Sequence, residues 1–373
     1  MENEILEETQ QLQETKEPKK KKKVGKIIAI VLICLAVLFV IADFGLSIYV
    51  YNSEFNVRYE TYAPTSFRVS DFEGLQCEEY TFKSNKGLNL AGYLYSVGDD
   101  PKGIIVFSHG IGAGHNSYMD CINYFAERGY YVFAYDATAS DKSEGDGIGG
   151  LPQGVADLDK AISFIEEKYP DLPVGLFGHS WGGYSVCAVL SYHPEVKAVI
   201  ECSGFCKSSD LLEAGGKSMI GDAIYLMLPC INIYENIVCG DYSSANGLKG
   251  VASTDAYIMC VHSRDDKMVG IEYGFDKYYE KYKDDPRFTF IEYTDKGHNY
   301  FSINTPYIDE FNETFLEIAE NLDYDYTAPE NYDKFAEFKA EYITENLDRQ
   351  EWASRIDEEM FDGFASFYDE HMN

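Results

Sequence analysis

Gly178-His179-Ser180-Trp181-Gly182-Gly183 is the stretch on which the reading of this chain turns. It follows the apolar run Pro173-Val174-Gly175-Leu176-Phe177, which has strand character, and it opens a helical run over about 181–192. The pattern is G-x-S-x-G at a strand-to-helix turn. Glycines two before and two after the serine let strand and helix approach closely. The turn then pushes the hydroxyl out at the carboxyl end of the strand. Ser180 also begins a helix, where the dipole favours developing negative charge. Ser180 is therefore the candidate nucleophile.

The rest of the chain supplies the frame such a turn needs. Residues 77–83 and 88–96 read as a hairpin joined by Asn85-Lys86-Gly87. The runs at 103–108, 130–135, 173–177, 196–201, 256–262 and 287–293 read as strands. Helical periods lie between them, as in 153–168 with Val155, Leu158, Ile162 and Ile165 on one face. This alternation predicts an α/β fold, a mostly parallel sheet with helices on both faces. Residues 204–253 break the rhythm. Their dense apolar patch, Met219, Ile220, Ile224, Tyr225, Leu226, Met227 and Leu228, is broken by Pro229 and predicts a small lid that shapes an acyl pocket.

A serine is a poor nucleophile without a base and an orienter. After the strand at 256–262 comes Ser263-Arg264-Asp265-Asp266-Lys267-Met268-Val269, and after the strand at 287–293 comes Thr294-Asp295-Lys296-Gly297-His298-Asn299. The order is Ser, Asp, His. Of seven histidines, His298 alone is placed as a base; His193 and His371 read as surface residues, and His179 as packing support within the turn. Spacing does not choose between Asp265 and Asp266. An oxyanion needs two preorganised N–H donors. Trp181 offers one, and the glycine-bearing loop Ser108–His115 offers the other at Ile111.

FSHGIGAG (107–114), GHSWGG (178–183), HSRDDKMV (262–269) and DKGHNYF (295–301) together resemble the α/β-hydrolase superfamily. Within it the chain is similar to bacterial serine hydrolases of the lysophospholipase-like and S33 aminopeptidase-like groups, over roughly 75–322. The resemblance implies an eight-stranded, mostly parallel sheet and a Ser-His-Asp triad. The relatives' Asp-x-x-Val pattern implies Asp266, with Val269, as the acid. The implied activity is cleavage of a carboxylic ester through an acyl-enzyme, on a small-molecule or lipid-like acyl substrate. A thioesterase, peptidase or amidase is the alternative on the same fold, and an inactive binding protein is the alternative outside enzymes. One departure stands out. Relatives often carry Arg-Gly-x-Gly-x-Ser after the acid of the fourth strand, whereas Asp136 is followed here by Ala-Thr-Ala-Ser-Asp-Lys-Ser-Glu-Gly. In those relatives that loop borders the site, so the departure bears on substrate preference.

A dinucleotide-binding reading fails on spacing. Gly110-x-Gly112-x-Gly114 would need a further glycine at the position that His115 occupies. No cofactor is expected. No metal is expected either, since no CxxC or HExxH occurs. With 31 Lys plus Arg against 63 Asp plus Glu, the net charge of −32 argues against a nucleic-acid partner.

The N-terminal end predicts a membrane partner. Lys19 to Lys23 precede an uncharged stretch from Ile27 to Ala42, and Val24–Val50 is long enough to cross ~30 Å of hydrocarbon. The lysine row predicts a cytoplasmic N-terminus and an extracytoplasmic catalytic domain. The alternative is a signal cleaved near Val40-x-Ala42, giving a secreted protein. The expected division is a basic tail at 1–23, an anchor at 24–51, a hydrolase domain at 52–322 with its lid at about 204–253, and an acidic helical extension at 323–373. In that extension Trp352, Ile356, Met360, Phe364 and Tyr368 recur every four residues, as in one amphipathic helix docked on the body. Of nine cysteines, Cys230 and Cys239 share one segment and are the candidate pair.

Overall fold

The computed structural model describes residues 18–372. The polar segment 1–17 and the side chains of Lys19–Lys23 lie outside the described residues. A long helix, α1 (Pro18–Phe55), comes first. The sheet then opens with β1 (Gln76–Lys83) and β2 (Asn89–Ser96), an antiparallel hairpin that pairs Gln76 with Ser96 and Lys83 with Asn89. Next come β3 (Ile104–Ser108), α2 (Met119–Glu127), β4 (Tyr131–Tyr135), α3 (Gln153–Lys168), β5 (Val174–His179), α4 (Trp181–Ala188) and β6 (Ala198–Cys202). Three helices interrupt the alternation: α5 (Ser208–Ile220), α6 (Ile224–Cys239) and the short α7 (Gly247–Val251). β7 (Tyr257–Ser263), α8 (Phe275–Tyr282) and β8 (Phe288–Tyr293) complete the sheet. The chain ends in α9 (Pro306–Glu320), α10 (Tyr332–Asn346), α11 (Arg349–Ala353) and α12 (Glu358–His371).

The strand order is β1-β2-β4-β3-β5-β6-β7-β8. β3 to β8 run parallel, and β2 is antiparallel to both its neighbours. This is the α/β-hydrolase fold. Every residue of β3, β5 and β6 is buried, which explains why these strands read as unbroken apolar runs. Each face has its own core. On one, Val155, Leu158, Ile162 and Ile165 of α3 pack with Val106 and Leu176. On the other, Ile122 and Phe125 of α2 join Phe361, Phe364 and Tyr368 of α12 over Phe107 and Phe177.

The C-terminal stripe is carried by two helices rather than one. α11 stops at Ala353, Ile356 forms an isolated bridge with Ser302, and the Asp357 side chain caps α12 by accepting from the Met360 N–H at 3.2 Å. A short side chain that bonds the backbone starts a new helix where a four-residue period alone suggested continuity. The expected division at 322 also cuts through one packed unit. α9 pairs with α10 through Phe311 and Phe315 against Phe338 and Tyr342, while α12 closes the core and donates the Tyr368 hydroxyl to Leu176 O at 2.6 Å.

Two histidines expected at the surface are not there. His193 is buried and bonds Asp159 Oδ1 through Nε2 at 2.8 Å, with Glu166 and Glu195 near Nδ1. Burial opposes its protonation, but the Asp159 bond and the Glu166 charge outweigh it and raise its pKa. His371 is half-buried and stacks on Tyr257 with 3.8 Å between ring centroids. The candidate disulfide is absent, and Cys230 and Cys239 are both free. Both lie on α6, where nine residues at 1.5 Å each separate them by about 14 Å along the axis, beyond disulfide reach. Pro229 does not break the patch either, because α6 runs through it. The patch divides by face instead. Ile224, Met227 and Ile231 are buried, whereas Met219, Ile220, Tyr225 and Leu226 are exposed. Leu226 therefore points to solvent, not into a pocket.

From Val24 to Ala42 α1 is bare, and it meets the body from Asp43 onward. Asp43 Oδ2 accepts from Cys230 Sγ at 3.3 Å, Tyr51 donates to Glu235 Oε1 at 2.7 Å, and Asn52 bonds the Tyr234 hydroxyl at 2.9 Å. Tyr51 is fully buried. The expected start of the catalytic unit at residue 52 therefore cuts into this packing. A chain beginning at residue 43 should melt as a folded unit. One beginning at residue 52 loses the Tyr51 ring and strips buried Glu235 of a donor, which costs about 3–5 kcal/mol on the scale of a large aromatic deletion. Thermal melts of the two chains check this, and equal midpoints would count against a structural role for Tyr51.

Candidate active site

Ser180 caps α4 with φ 58° and ψ −115°, a left-handed conformation that costs a serine strain. The turn around it is crowded. A Cβ on Gly178 would lie 2.3 Å from Gly182 O, and one on Gly182 would lie 1.9 Å from Ser108 O. Neither position admits a side chain, which is the physical content of the G-x-S-x-G spacing. The Ser180 N–H donates to Cys202 O at 2.8 Å and ties the turn to the end of β6.

His298 reaches the same end of the sheet from the loop after β8. Its Nδ1 bonds Asp266 Oδ2 at 2.7 Å, and both side chains are buried. Asp266 Oδ1 accepts the N–H groups of Met268 at 2.8 Å and Val269 at 2.9 Å. That turn fixes the orientation of the Asp266 carboxylate. Asp265 faces elsewhere: its Oδ1 accepts from Ser263 Oγ at 2.6 Å and from the Gly297 N–H at 2.9 Å. Burial alone would raise the Asp266 pKa, but hydrogen bonds from His262, His298 and the Val269 N–H outweigh it and hold the carboxyl well below the usual carboxylate range.

His179 joins the two halves of the site. Its Nε2 bonds His298 O at 3.0 Å and its Nδ1 bonds the Tyr118 hydroxyl at 2.9 Å. Since His298 O can only accept, Nε2 carries the proton and Tyr118 donates to Nδ1. Burial, then the neighbouring His298, push the His179 pKa down to about 3, so the ring is a neutral brace. The Ser180 Oγ makes no hydrogen bond among the described residues. In enzymes that use an activated serine, the contact between nucleophile and base often closes only when substrate is bound.

The loop after β3 packs against the turn, since a Cβ on Gly110 would lie 3.5 Å from Ser180 Cβ. His109 holds this loop: Nδ1–H donates to Gly110 O at 2.8 Å and Nε2 accepts from the Ala137 N–H at 3.0 Å. The Ile111 N–H has no hydrogen-bond acceptor among the described residues, and Trp181 is the first residue of α4, so its N–H has no intrahelical acceptor. Trp181 anchors its ring by donating Nε1–H to Leu151 O at 2.7 Å. The divergent loop after Asp136 is tightly held. Asp136 takes His115 Nδ1 at 2.6 Å and the Tyr93 hydroxyl at 3.1 Å, while Asp157 takes the Thr138 N–H at 2.7 Å.

Tyr118 and His262 were not visible as site residues in the sequence. Tyr118 lies in a stretch read only as the start of a helix. His262 is the last residue of an apolar strand, yet its Nε2 lies 3.2 Å from Asp266 Oδ2. The alternation of strand faces was the only available signal for it.

A family model described as serine aminopeptidase, S33, matches residues 99–241. A monoacylglycerol lipase of Mycolicibacterium smegmatis is 26% identical over 128 residues, which is 34% of this chain and 46% of that protein. The mouse monoglyceride lipase is 31% identical over 96 residues, 25% of this chain and 32% of that protein. The chain thus aligns with less than half the length of these curated relatives. A solved esterase of Pyrococcus furiosus superposes with a TM-score of 0.51 at 19% identity, over 71% of this chain and 95% of that one, a likeness of fold. Both the sequence and the sheet are those of an α/β-hydrolase-superfamily chain.

The two acids should separate sharply in a test for an activated serine. Asp266→Asn should slow labelling by a fluorophosphonate probe on the order of 10⁴-fold, whereas Asp265→Asn, which loosens only the loop carrying His298, should cost about tenfold or less. Equal losses would leave Asp266 without its distinct role.

Proposed function

We propose that this α/β-hydrolase is a membrane-anchored serine esterase that cleaves carboxylic esters of lipid-like acyl groups. The observation that carries the reading is the buried Asp266–His298 bond of 2.7 Å beside a serine held at positive φ. In the proposed mechanism Asp266 holds Nδ1–H of His298, which leaves Nε2 free to take the Ser180 proton. The Ser180 oxygen attacks the ester carbonyl carbon, and the carbonyl oxygen becomes an oxyanion facing the N–H groups of Ile111 and Trp181. As the C–O bond breaks, His298 gives its proton to the leaving alcohol. A water, deprotonated by His298, then attacks the acyl-serine and releases the acid and Ser180. No cofactor enters any step.

The lipid-like substrate is supported by the names of the monoglyceride lipase relatives and by the apolar side chains of α5 and α6. The anchor rests on the bare apolar segment of α1. Val24–Ala42 spans about 28 Å as a helix, close to a bilayer's hydrocarbon thickness. In this reading the N-terminus is cytoplasmic and the catalytic domain extracytoplasmic. The description of the matched family model favours one second reading, cleavage of an amide at a peptide N-terminus.

Ser180→Ala should cut turnover of p-nitrophenyl esters by ~10⁶-fold with an unchanged melting midpoint. Retention of a tenth of the rate would remove Ser180 as nucleophile. Turnover of a graded ester series should exceed that of aminoacyl p-nitroanilides, and the reverse order would favour the peptidase reading. Protease added outside intact cells should digest the catalytic domain; full protection would overturn the topology.

A further inference from the structure

Asp266 Oδ2 is approached by two imidazoles. His298 Nδ1 lies at 2.7 Å and His262 Nε2 at 3.2 Å. The tautomer of His262 follows from its other contact. Nε2 also lies 2.9 Å from Val269 O, which can only accept, so Nε2 carries a hydrogen. That N–H is shared between a backbone carbonyl and the acid. With the Met268 and Val269 N–H groups on Oδ1, one carboxylate collects four donors, and its plane and position are fixed.

A second buried acid lies on the neighbouring strand, β6. Glu201, at 1% exposure on β6, accepts the Gly204 N–H on Oε1 at 2.5 Å. Its Oε2 and the His262 Nδ1 are both buried without a hydrogen-bond partner among the described residues. A buried acid with an unpaired oxygen is costly, and its charge is eased by an imidazolium nearby. Burial disfavours the charged ring, yet the Asp266 hydrogen bond and the Glu201 charge together raise the His262 pKa.

We propose that His262 is a positioning residue of the triad that fixes Asp266 against His298. This deepens the triad reading and rests on it. Sharing Oδ2 ties the carboxylate to β7 as well as to the turn of Met268 and Val269. Fixing the carboxylate also keeps the His298 ring aimed. The charged or titratable groups around His262 are Asp266 on its own loop, Glu201 on β6, His298 on the loop after β8 and His179 at the end of β5; the Tyr278 hydroxyl on α8 is coupled to Glu201.

Two variants of the full chain separate positioning from packing. His262→Met keeps bulk and removes the N–H. His262→Gln places an amide N–H near the Nε2 position without a titrating ring. Fluorophosphonate labelling and p-nitrophenyl ester turnover are followed against pH, with melting midpoints alongside. His262→Met should lower kcat by about 10- to 100-fold with KM within about twofold, the cost of a misplaced catalytic group. His262→Gln should recover most of kcat. If both variants match the wild type in rate and pH profile, or if Gln rescues nothing while melting like the wild type, the positioning role is overturned. A wild type that does not label overturns the triad reading itself, and this proposal with it. Should His262→Met not fold, the rate of His262→Gln decides alone: retention of kcat supports the shared N–H, and a loss of about 10-fold or more in a folded protein overturns it.

Discussion

One close contact governs the arrangement around Ser180. The backbone of α4 lies so near the end of β3 that a single added carbon at Gly182 would sit 1.9 Å from Ser108 O. The same crowding recurs on the other side, where a Cβ on Gly183 would lie 2.9 Å from Cys202 O and 3.0 Å from the Gly204 Cα. α4 is thus wedged between the ends of β3 and β6, and Ser180 must take positive φ to turn from strand into helix. The serine is presented because the backbone has no other way to turn there. The loop after β3, the start of the lid segment at Gly204 and the loop of His298 are all placed relative to this wedge.

A second constraint joins the lid to the N-terminal helix. α6 uses its inner face, Ile224, Met227 and Ile231, to bury itself against the body. Its next turns meet α1 through Cys230, Tyr234 and Glu235. The Glu235 carboxylate takes hydroxyl donors from both sides, Tyr51 at 2.7 Å and Ser208 at 2.6 Å, so one buried charge ties α1, α5 and α6 together. In the proposed topology, the element that leaves the bilayer is the one that holds the lid. The exposed Leu226, Ile233 and Ile237 belong to that same helix, so α6 and α1 both present apolar surface.

The sequence was most legible where one physical demand dominates. Fully buried parallel strands must be apolar throughout, so GIIVFS and YYVFAY announced β3 and β4 within a residue or two. The G-x-S-x-G spacing is enforced by sterics that any reader of Gly178 and Gly182 can anticipate. Legibility failed where long-range packing decides. His193 looked like a surface residue because its acid partner, Asp159, is 34 positions away. The stripe from Trp352 to Tyr368 had helical period, but Asp357 offered the backbone a cap and the helix restarted there. Val24–Val50 was legible as an apolar span, whereas the burial of Tyr51 depended on a glutamate on α6 that no local pattern links to it.

Buried Asp–His pairs are not by themselves a mark of catalysis in this chain. Three occur among the described residues: Asp136 with His115, Asp159 with His193, and Asp266 with His262 and His298. The first has His115 stacked on Tyr93 at 3.8 Å, and it fastens the divergent loop. Burial works against the ionised Asp136, but the His115 hydrogen bond and charge lower its pKa. A lowered carboxylate pKa adds stability above the unfolded value of about 3.9, and that stability is lost as pH falls through the native value. This pair therefore acts as an acid-sensitive fastening. The second pair lies beside Glu166, whose carboxyl burial and the Glu195 hydrogen bond push up to about 7. Neither has a serine in a strained turn beside it. The third differs in having its imidazole backbone braced by His179, the residue that immediately precedes Ser180. The proposed mechanism rests on the coincidence of a held imidazole with a serine the backbone has forced outward, and among the described residues only the carboxyl end of β5 provides both.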